Sequence, residues 1–396
     1  MRIKMKRIIG ILVTIGLVLG MMPRMSLTAY AAGYELKVDG WPIGIGEHDI
    51  GGGKLSLAYA EDRDLYTLTL ANVNIVAQNN DNEPGIFFTH TGSSTKLKIE
   101  LVGENTIIQQ GLGSSLEVTG ADVTLSGSGS LTATSSINAA DLTIDGCTVH
   151  SDKYIRGSLA LNIVGDAEVS APQLRGADGG VFTIAGGTVT VTNSSNGVKG
   201  IDSPIINITG GTVTVSCTGS NSTGICAGAE GISGNINISG GTVTASGTST
   251  GIYAATRKNY KGDVFGGINI SGGEVTVSGT GSNSTGVKIG SAGNVSITGG
   301  TVTASGEGKA IEGTVKNSFD GKGWEDAAGT SGETAIDKNK DPGQSLSYKK
   351  VYFEATNYPL WVGGKQVTDG NEDDIDGNSK ASYNVDTNTL TLNGYQ

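Results

Sequence analysis

From about residue 65 onward, apolar and polar residues alternate in short bursts punctuated by glycine. The clearest burst reads Ile206-Asn-Ile-Thr-Gly-Gly-Thr-Val-Thr-Val215 and returns as Ile236-Asn-Ile-Ser-Gly-Gly-Thr-Val-Thr-Ala245, Ile268-Asn-Ile-Ser-Gly-Gly-Glu-Val-Thr-Val277 and Val295-Ser-Ile-Thr-Gly-Gly-Thr-Val-Thr-Ala304. Successive side chains of a strand point to opposite faces, so Ile and Val face a core while Thr, Ser and Asn face out. The Gly-Gly pair breaks this alternation at the same point each time, and glycine admits the positive φ that a sharp bend needs. A third short strand follows each phrase, as Ser222-Thr-Gly-Ile225, Ser249-Thr-Gly-Ile252 and Ser284-Thr-Gly-Val287, with Lys309-Ala-Ile311 as a weaker copy.

Three strands and three bends per repeat predict one coil of a parallel β-helix, a solenoid whose units bury their apolar faces only by stacking. Successive Gly-Gly pairs are 24, 30, 32 and 27 residues apart, and the variable part is loop, such as Ala254 to Gly266 with Arg257, Lys258, Tyr260 and Lys261. Looser copies, including Leu97-Lys-Ile-Glu-Leu-Val-Gly-Glu-Asn-Thr-Ile107, Leu116 to Leu125, Leu142 to Val149 and Leu161-Asn-Ile-Val-Gly165, extend the helix over about 65–315. An antiparallel β-sandwich also yields short alternating strands, but leaves the fixed position of the Gly-Gly pairs unexplained.

A longer repeat encloses this one. Tyr34-Glu-Leu-Lys-Val-Asp-Gly-Trp-Pro-Ile43 matches Tyr358-Pro-Leu-Trp-Val-Gly-Gly-Lys-Gln-Val367, 324 residues on, and Tyr66 to Asn72 matches Thr389 to Gly394. The expected organisation is a leader over 1–32, an N-terminal β cap over 33–64, the helix over 65–315, a surface loop and closing strand over 316–357, and the incomplete opening of a second, homologous module over 358–396. Residues 1–32 read as an export signal: Arg2, Lys4, Lys6 and Arg7 precede the apolar run Ile8 to Leu19, and Ala29-Tyr30-Ala31 sets cleavage near Ala31/Ala32. An uncleaved anchor is the alternative. Secretion or display at the cell surface follows, with no membrane association after cleavage.

Charge then narrows the partners. Taking the leader's five cations from the formal −11 leaves about −16, which disfavours nucleic acid and anionic membranes, and also polyanionic pectin unless divalent cations bridge the two. The three cysteines are too few for a disulfide framework. Alternation points Cys217 inward and Cys226 outward, so a bond between them is disfavoured, and Cys147 joins them as a small filler.

Candidate chemistry lies on the outward positions. Thr188/Thr190, Thr212/Thr214, Thr242/Thr244 and Thr301/Thr303 predict a two-file ladder interrupted by Glu274/Thr276, with Asn207, Asn237 and Asn269 in a second column. Such files suit a sugar polymer, although Thr and Asn are also what an exposed sheet face tolerates, and Thr-x-Thr arrays resemble ice-binding solenoids. Tyr154, Tyr253 and Tyr260 are candidate stacking platforms, because a sugar's apolar face packs on an aromatic ring. Trp41 and Trp361 read instead as packing residues near the module starts, and Trp324 also lies outside the coils.

Acids gather along the chain at Asp141, Asp145, Asp152, Asp166, Glu168 and Asp178. Stacked loops bring carboxylates together, and calcium takes six to eight oxygens, so Asp141, Asp145, Asp166 and Glu168 are the metal candidates; a solvated acidic face is the alternative. Catalytic signatures are lacking. Asp373-Asp374 falls outside any finished helix, so no carboxylate pair of the glycosidase kind is set on adjacent coils. Lys153, Arg156 and Arg175 are the only bases that a lyase reading offers, and His48, His90 and His150 show no metal-ligand spacing.

On the Leu101-Val-Gly-Glu-Asn-Thr-Ile107 phrase and the Ile-Asn-Ile-Ser-Gly-Gly-Thr-Val-Thr copies, the chain resembles the clostridial carbohydrate-binding β-helix family over about 65–315. The resemblance implies a polysaccharide-lyase-like right-handed parallel β-helix, calcium use, and binding of cellulose or acidic plant polysaccharides. The Tyr-x-Leu-x-Val-x-Gly opening resembles that of multi-module surface proteins of gut Firmicutes. The expectation is therefore an all-β, right-handed parallel β-helix with three strands per coil, non-catalytic, binding plant or host polysaccharide with the help of Ca2+. A structural or adhesive spacer is the alternative, and a polysaccharide lyase the third reading.

Overall fold

The computed structural model describes residues 33–396 apart from 79–81, 92–94, 177–178, 230–231, 292, 339–342, 369–371, 373, 376–379, 385–386 and 395–396. The expected export signal with its Ala31/Ala32 site, and the acids Asp178 and Asp373, lie outside the described residues.

Apart from one 3-10 turn at Glu61–Arg63, the regular structure of the described residues is strand. Most strands join one large, mostly parallel, solenoid-like sheet. Its pairings fall into three parallel ladders. The first runs from Ile86–His90 to Lys309–Glu312. The second runs from Leu65–Ala71 to Thr314–Asn317. The third runs from Asn74–Ala77 to 301–305.

Like stacks on like inside. Ile206, Ile236, Ile268 and Val295 are successive register partners, as are Val213, Val243, Val275 and Val302, and all eight are buried. Each such side chain contributes roughly 1.5–3 kcal/mol on burial, so the repeated phrase supplies a continuous core that no single repeat has. Asn105 is an exception, a polar side chain turned inward at 1% exposure. It accepts from Val73 N at 3.1 Å and donates from Nδ2 to Val102 O, Gly103 O and Ser130 O. A buried amide costs little when it is bonded in this way. The Leu-Val-Gly-Glu-Asn-Thr-Ile phrase therefore marks a staple between neighbouring backbones.

The Gly-Gly pair is explained by stacking at the bend between the second and third ladders. A Cβ on the first glycine would meet the backbone oxygen of the preceding repeat: Thr209 O at 2.5 Å from Gly240, Ser239 O at 2.5 Å from Gly272 and Ser271 O at 2.3 Å from Gly299. The second glycine has φ +79°, +83° and +78° at Gly241, Gly273 and Gly300, and its Cβ would meet the equivalent glycine's oxygen at 2.4–2.6 Å. Space excludes a side chain at the first position, and both space and conformation exclude one at the second.

Antiparallel strands cover both ends of the ladders. Tyr34–Val38 pairs with Ile86–His90, while Gly46–Ile50 and Gly53–Ala60 lie outside Leu65–Ala71. Tyr34, Tyr66 and Phe88 pack there, with ring centroids 4.8 Å apart for Tyr34–Tyr66 and 5.4 Å for Tyr66–Phe88. At the far end, Lys350–Glu354 pairs antiparallel with 301–305. The segment expected as a surface loop, 316–347, carries the strands Gly321–Trp324, Thr334–Ile336 and Gln344–Ser345 and buries Phe319, Ile336 and Leu346. Its Gly-, Asp- and Lys-rich composition hid this, because the turn residues are ordered by side-chain bonding: the Asp326 carboxylate accepts from Thr330 N and Ser331 N.

The long repeat is also a repeat of backbone. Tyr34–Val38 turns through Asp39 and Gly40, φ +50° and +75°, into Trp41–Pro42, and Asn357–Val362 turns through Gly363 and Gly364, φ +58° and +81°, into Lys365–Thr368. Positive φ at both central residues is the two-residue hairpin turn that matches strand twist.

Stacking rather than backbone conformation alone should decide tolerance at the bends. Asn accepts left-handed φ, so Gly146→Asn (φ +64°, nothing within 4 Å) isolates the conformational cost. Gly241→Asn adds an overpacking term of about 1–3 kcal/mol. Urea unfolding should show Gly241→Asn less stable by that margin; equal midpoints would refute the stacking account.

Candidate functional site

The expected site residues divide among the three ladders. Tyr154 and Tyr253 lie on strands of the first ladder, and Tyr260 lies in the insertion that follows Tyr253. Asn207, Asn237 and Asn269, with Asp141 and Asp145, lie on the second. Thr212, Thr242 and Glu168 lie on the third, and Asp166 in the turn before Glu168. No single site unites them.

The asparagine column stacks, each amide bonding the next. Asn237 Nδ2 donates to Asn207 Oδ1, and Asn269 Nδ2 to Asn237 Oδ1, each at 2.9 Å. The threonine files differ. Thr188, Thr212, Thr242, Glu274 and Thr301 are register partners, as are Thr190, Thr214, Thr244, Thr276 and Thr303. The residues from Thr188 to Thr276 in these files are exposed, and among the described residues their hydroxyls make no protein bond. The files end where Glu354 and Tyr352 pair with Thr301 and Thr303, with Tyr352 Oη donating to Glu354 at 2.6 Å.

The acids do not converge. Among the described residues, no three of His, Cys, Asp and Glu form a group able to hold a metal ion. Asp141 and Asp145 stand at opposite ends of one strand face, about 13 Å apart at ~3.3 Å per residue. Glu168 accepts from Thr148 Oγ1 at 3.4 Å, and Asp152 binds His150 Nε2 at 3.0 Å. Asp141 instead faces its register partner Asp122. Burial raises its pKa above the usual 3.8, and the Asp122 charge and hydrogen bond raise it further.

One expectation about orientation is corrected. Trp41 and Trp361 are not packing residues: they are 74% and 59% exposed, on hairpins whose outer faces carry no covering layer among the described residues. Cys226 keeps its expected outward position, in register with Asp202 and Tyr253, yet is only 1% exposed, because the chain after it folds back, Ala229 bridging to Ile232 and Cys226 Sγ donating to Gly228 O at 3.6 Å. All three cysteines are free, and burial pushes each thiol up to about 11, which leaves no thiolate for nucleophilic or metal chemistry near neutral pH.

The most concentrated chemistry lies on the outer face of the first ladder. Arg156 and Arg175 are direct register partners. Like charges placed opposite each other destabilise a sheet, so this pair stands out against simple surface solvation. Asp202 is the next partner in the column, but it is bound by Lys199 at 3.2 Å. Among the described residues, neither arginine reaches a carboxylate. The Arg175 guanidinium lies 5.4 Å from the centroid of the half-buried Tyr154 ring. Arg156 borders a cleft lined also by Glu117, Asn138, Ala140 and Ser158. In its wall, Asn138 donates to Ser114 Oγ at 2.7 Å, while its buried Oδ1 has no partner. The cleft thus offers the Arg156 guanidinium, the Glu117 carboxylate and several hydroxyl and amide groups, while Arg175 and Tyr154 lie outside its lining, Arg175 in register with Arg156.

Lys153 is exposed and off this column. Tyr253 sits further along it, between Cys226 and Lys288, about 14 Å from Arg175 at ~4.8 Å per strand. Tyr260 is 93% exposed on the Arg257–Lys258 and Val264–Phe265 hairpin, with Lys261 Nζ 5.7 Å from its ring centroid. Asn138 belongs to no repeated phrase, and Glu117 stands in the looser copy Leu116 to Leu125 with nothing there to single it out.

Comparison with protein-family models, with curated proteins and with solved structures returned no match.

The Asp122–Asp141 pair makes a pH-dependent prediction. Asp141's folded pKa is raised, so its contribution is most favourable below 3.8 and is lost as pH climbs through the folded value. Asp122→Asn removes the opposing charge. Its stability relative to the native chain should therefore be near zero at pH 3 and grow with pH above 3.8; a pH-independent difference in urea midpoint would contradict the coupling.

Proposed function

We propose that the chain is an exported, non-catalytic polysaccharide-binding module, built as a right-handed parallel β-helix with three strands to the coil. The observation that carries this reading is the Arg156–Arg175 register pair, with the Tyr154 ring beside Arg175 and Arg156 itself bordering the cleft. A planar guanidinium binds a carboxylate or sulfate through paired hydrogen bonds, and an aromatic ring packs on a sugar's apolar face. Two cations at adjacent strand spacing fit a polymer with repeated acidic groups, and the column beyond them, with Tyr253 and Lys288, continues the track.

The surrounding acidity sets the conditions for binding. A chain of formal charge −11 repels a polyanion at long range, so contact depends on the local arginines and on counter-ions. Among the described residues, the protein's own carboxylates form no calcium cage. Calcium belongs to the proposal only as an ion whose remaining oxygens the glycan supplies. The adhesive-spacer reading draws on the asparagine column, whose amides bond one another.

A glycan array run with and without calcium separates these readings. Binding to uronate or sulfated polysaccharides is expected, and binding to none would sink the proposal. Arg156→Gln and Arg175→Gln should each weaken binding about tenfold, since a hydrogen bond to a charged group contributes ~1.5–3 kcal/mol. Their urea midpoints should be unchanged or higher. Release of unsaturated sugar, followed by ultraviolet absorbance on pectate, would instead favour the lyase.

A further inference from the structure

The hairpin between Ala254 and Gly267 is ordered without being packed. Arg257–Lys258 pairs antiparallel with Val264–Phe265. Its turn is held by Asn259, whose Oδ1 accepts from Lys261 N and Asp263 N at 2.9 Å and whose Nδ2 donates to the Asp263 carboxylate at 2.8 Å. Tyr260, Val264 and Phe265 are nonetheless exposed. A preformed loop loses little freedom on binding, so these side chains are presented ready to engage a partner.

They repeat the chemistry found at the arginine pair. Arg257, Lys258 and Lys261 set three cations within five residues, in a chain of formal charge −11. Among the described residues, none of the three reaches a carboxylate. The Arg257 guanidinium lies 5.7 Å from the centroid of the Phe265 ring and Lys261 Nζ lies 5.7 Å from that of Tyr260, much as Arg175 lies 5.4 Å from that of Tyr154. The hairpin opens four residues after Tyr253, which stands three strands beyond Arg175 in the outer column of the first ladder. Arg175 and Tyr253 are thus about 14 Å apart at ~4.8 Å per strand.

We propose, building on the glycan-binding reading above, that the hairpin of residues 257–265 is a second anchor for the same acidic polysaccharide, so that one polymer is held at both places at once. The ligand it fits carries acidic groups over a length greater than that separation and has apolar ring faces to lay on Tyr260. An anionic membrane fits less well, because interfacial insertion needs a continuous apolar face and the tip reads Asn259-Tyr-Lys-Gly-Asp263. Two linked contacts raise affinity through effective concentration, and only for polymers long enough to span them.

The test titrates the full chain, with calcium present, against oligogalacturonate and heparin fragments of graded length. Fragments of about ten units should bind at least about a hundredfold tighter than the disaccharide. The triple substitution Arg257→Gln, Lys258→Gln, Lys261→Gln should bring the long fragment to within about threefold of the disaccharide, as should the double substitution Arg156→Gln, Arg175→Gln. Tyr260→Ala should remove part of the gain. The hairpin residues lie outside the three ladders, so the urea midpoints of their variants should match that of the native chain. A gain that survives the triple substitution, or native binding that does not depend on length, would overturn the second anchor and leave the arginine site standing. A gain that survives the arginine substitutions, or binding to neither probe, would overturn both. Capture by vesicles of phosphatidylserine and phosphatidylcholine, abolished by the triple substitution, would overturn the glycan assignment in favour of a membrane.

Discussion

At the Gly-Gly bends between the second and third ladders, the backbone of one repeat presses against the carbonyl oxygens of the repeat before it. Strand spacing of about 4.8 Å leaves no room there for a Cβ, and the turn needs positive φ at its second residue. The stacking of the most regular repeats depends on that contact. It keeps Ile206, Ile236 and Ile268 in line inside, and so keeps Thr212 and Thr242, or Arg156 and Arg175, in line outside. A side chain at the bend would lift one repeat off the next and disturb all three ladders at once.

That dependence explains how much was legible in the sequence. The Gly-Gly pairs and their flanking Ile and Val revealed the stacking because the same steric demand recurs at every bend that carries the pair. Their register also put the Thr and Asn files in the right columns. The ends were harder. The strands of 316–347 carry no repeat, and their order comes from local bonds such as those to Asp326. Trp41 and Trp361 were misjudged because bulk suggests burial, whereas a hairpin exposes one face whatever residue stands on it.

The candidate site was only partly visible for a related reason. Arg156 and Arg175 appeared as separate cations, 19 positions apart, in a stretch without a sharp phrase. Only register makes them neighbours, and only the surrounding partners show that nearby carboxylates are already engaged. The acidic cluster failed in the opposite sense: residues close in sequence fall on different faces of the solenoid. Proximity along the chain predicts little in a fold where contact passes mainly from one repeat to the next.

The Arg257 to Phe265 hairpin has a wider consequence. It leaves the sheet after Ala254 and the chain re-enters at Gly267, yet Ala254 still pairs with Ala227 and Ile289, and Gly267 with Asn235. The ladders therefore do not register the length or content of what is inserted at that corner. Drift, insertion and selection can act on such a loop almost free of folding constraint, while every change at a bend is judged by its neighbours. A single scaffold can thus carry many surfaces, each revised at its own pace.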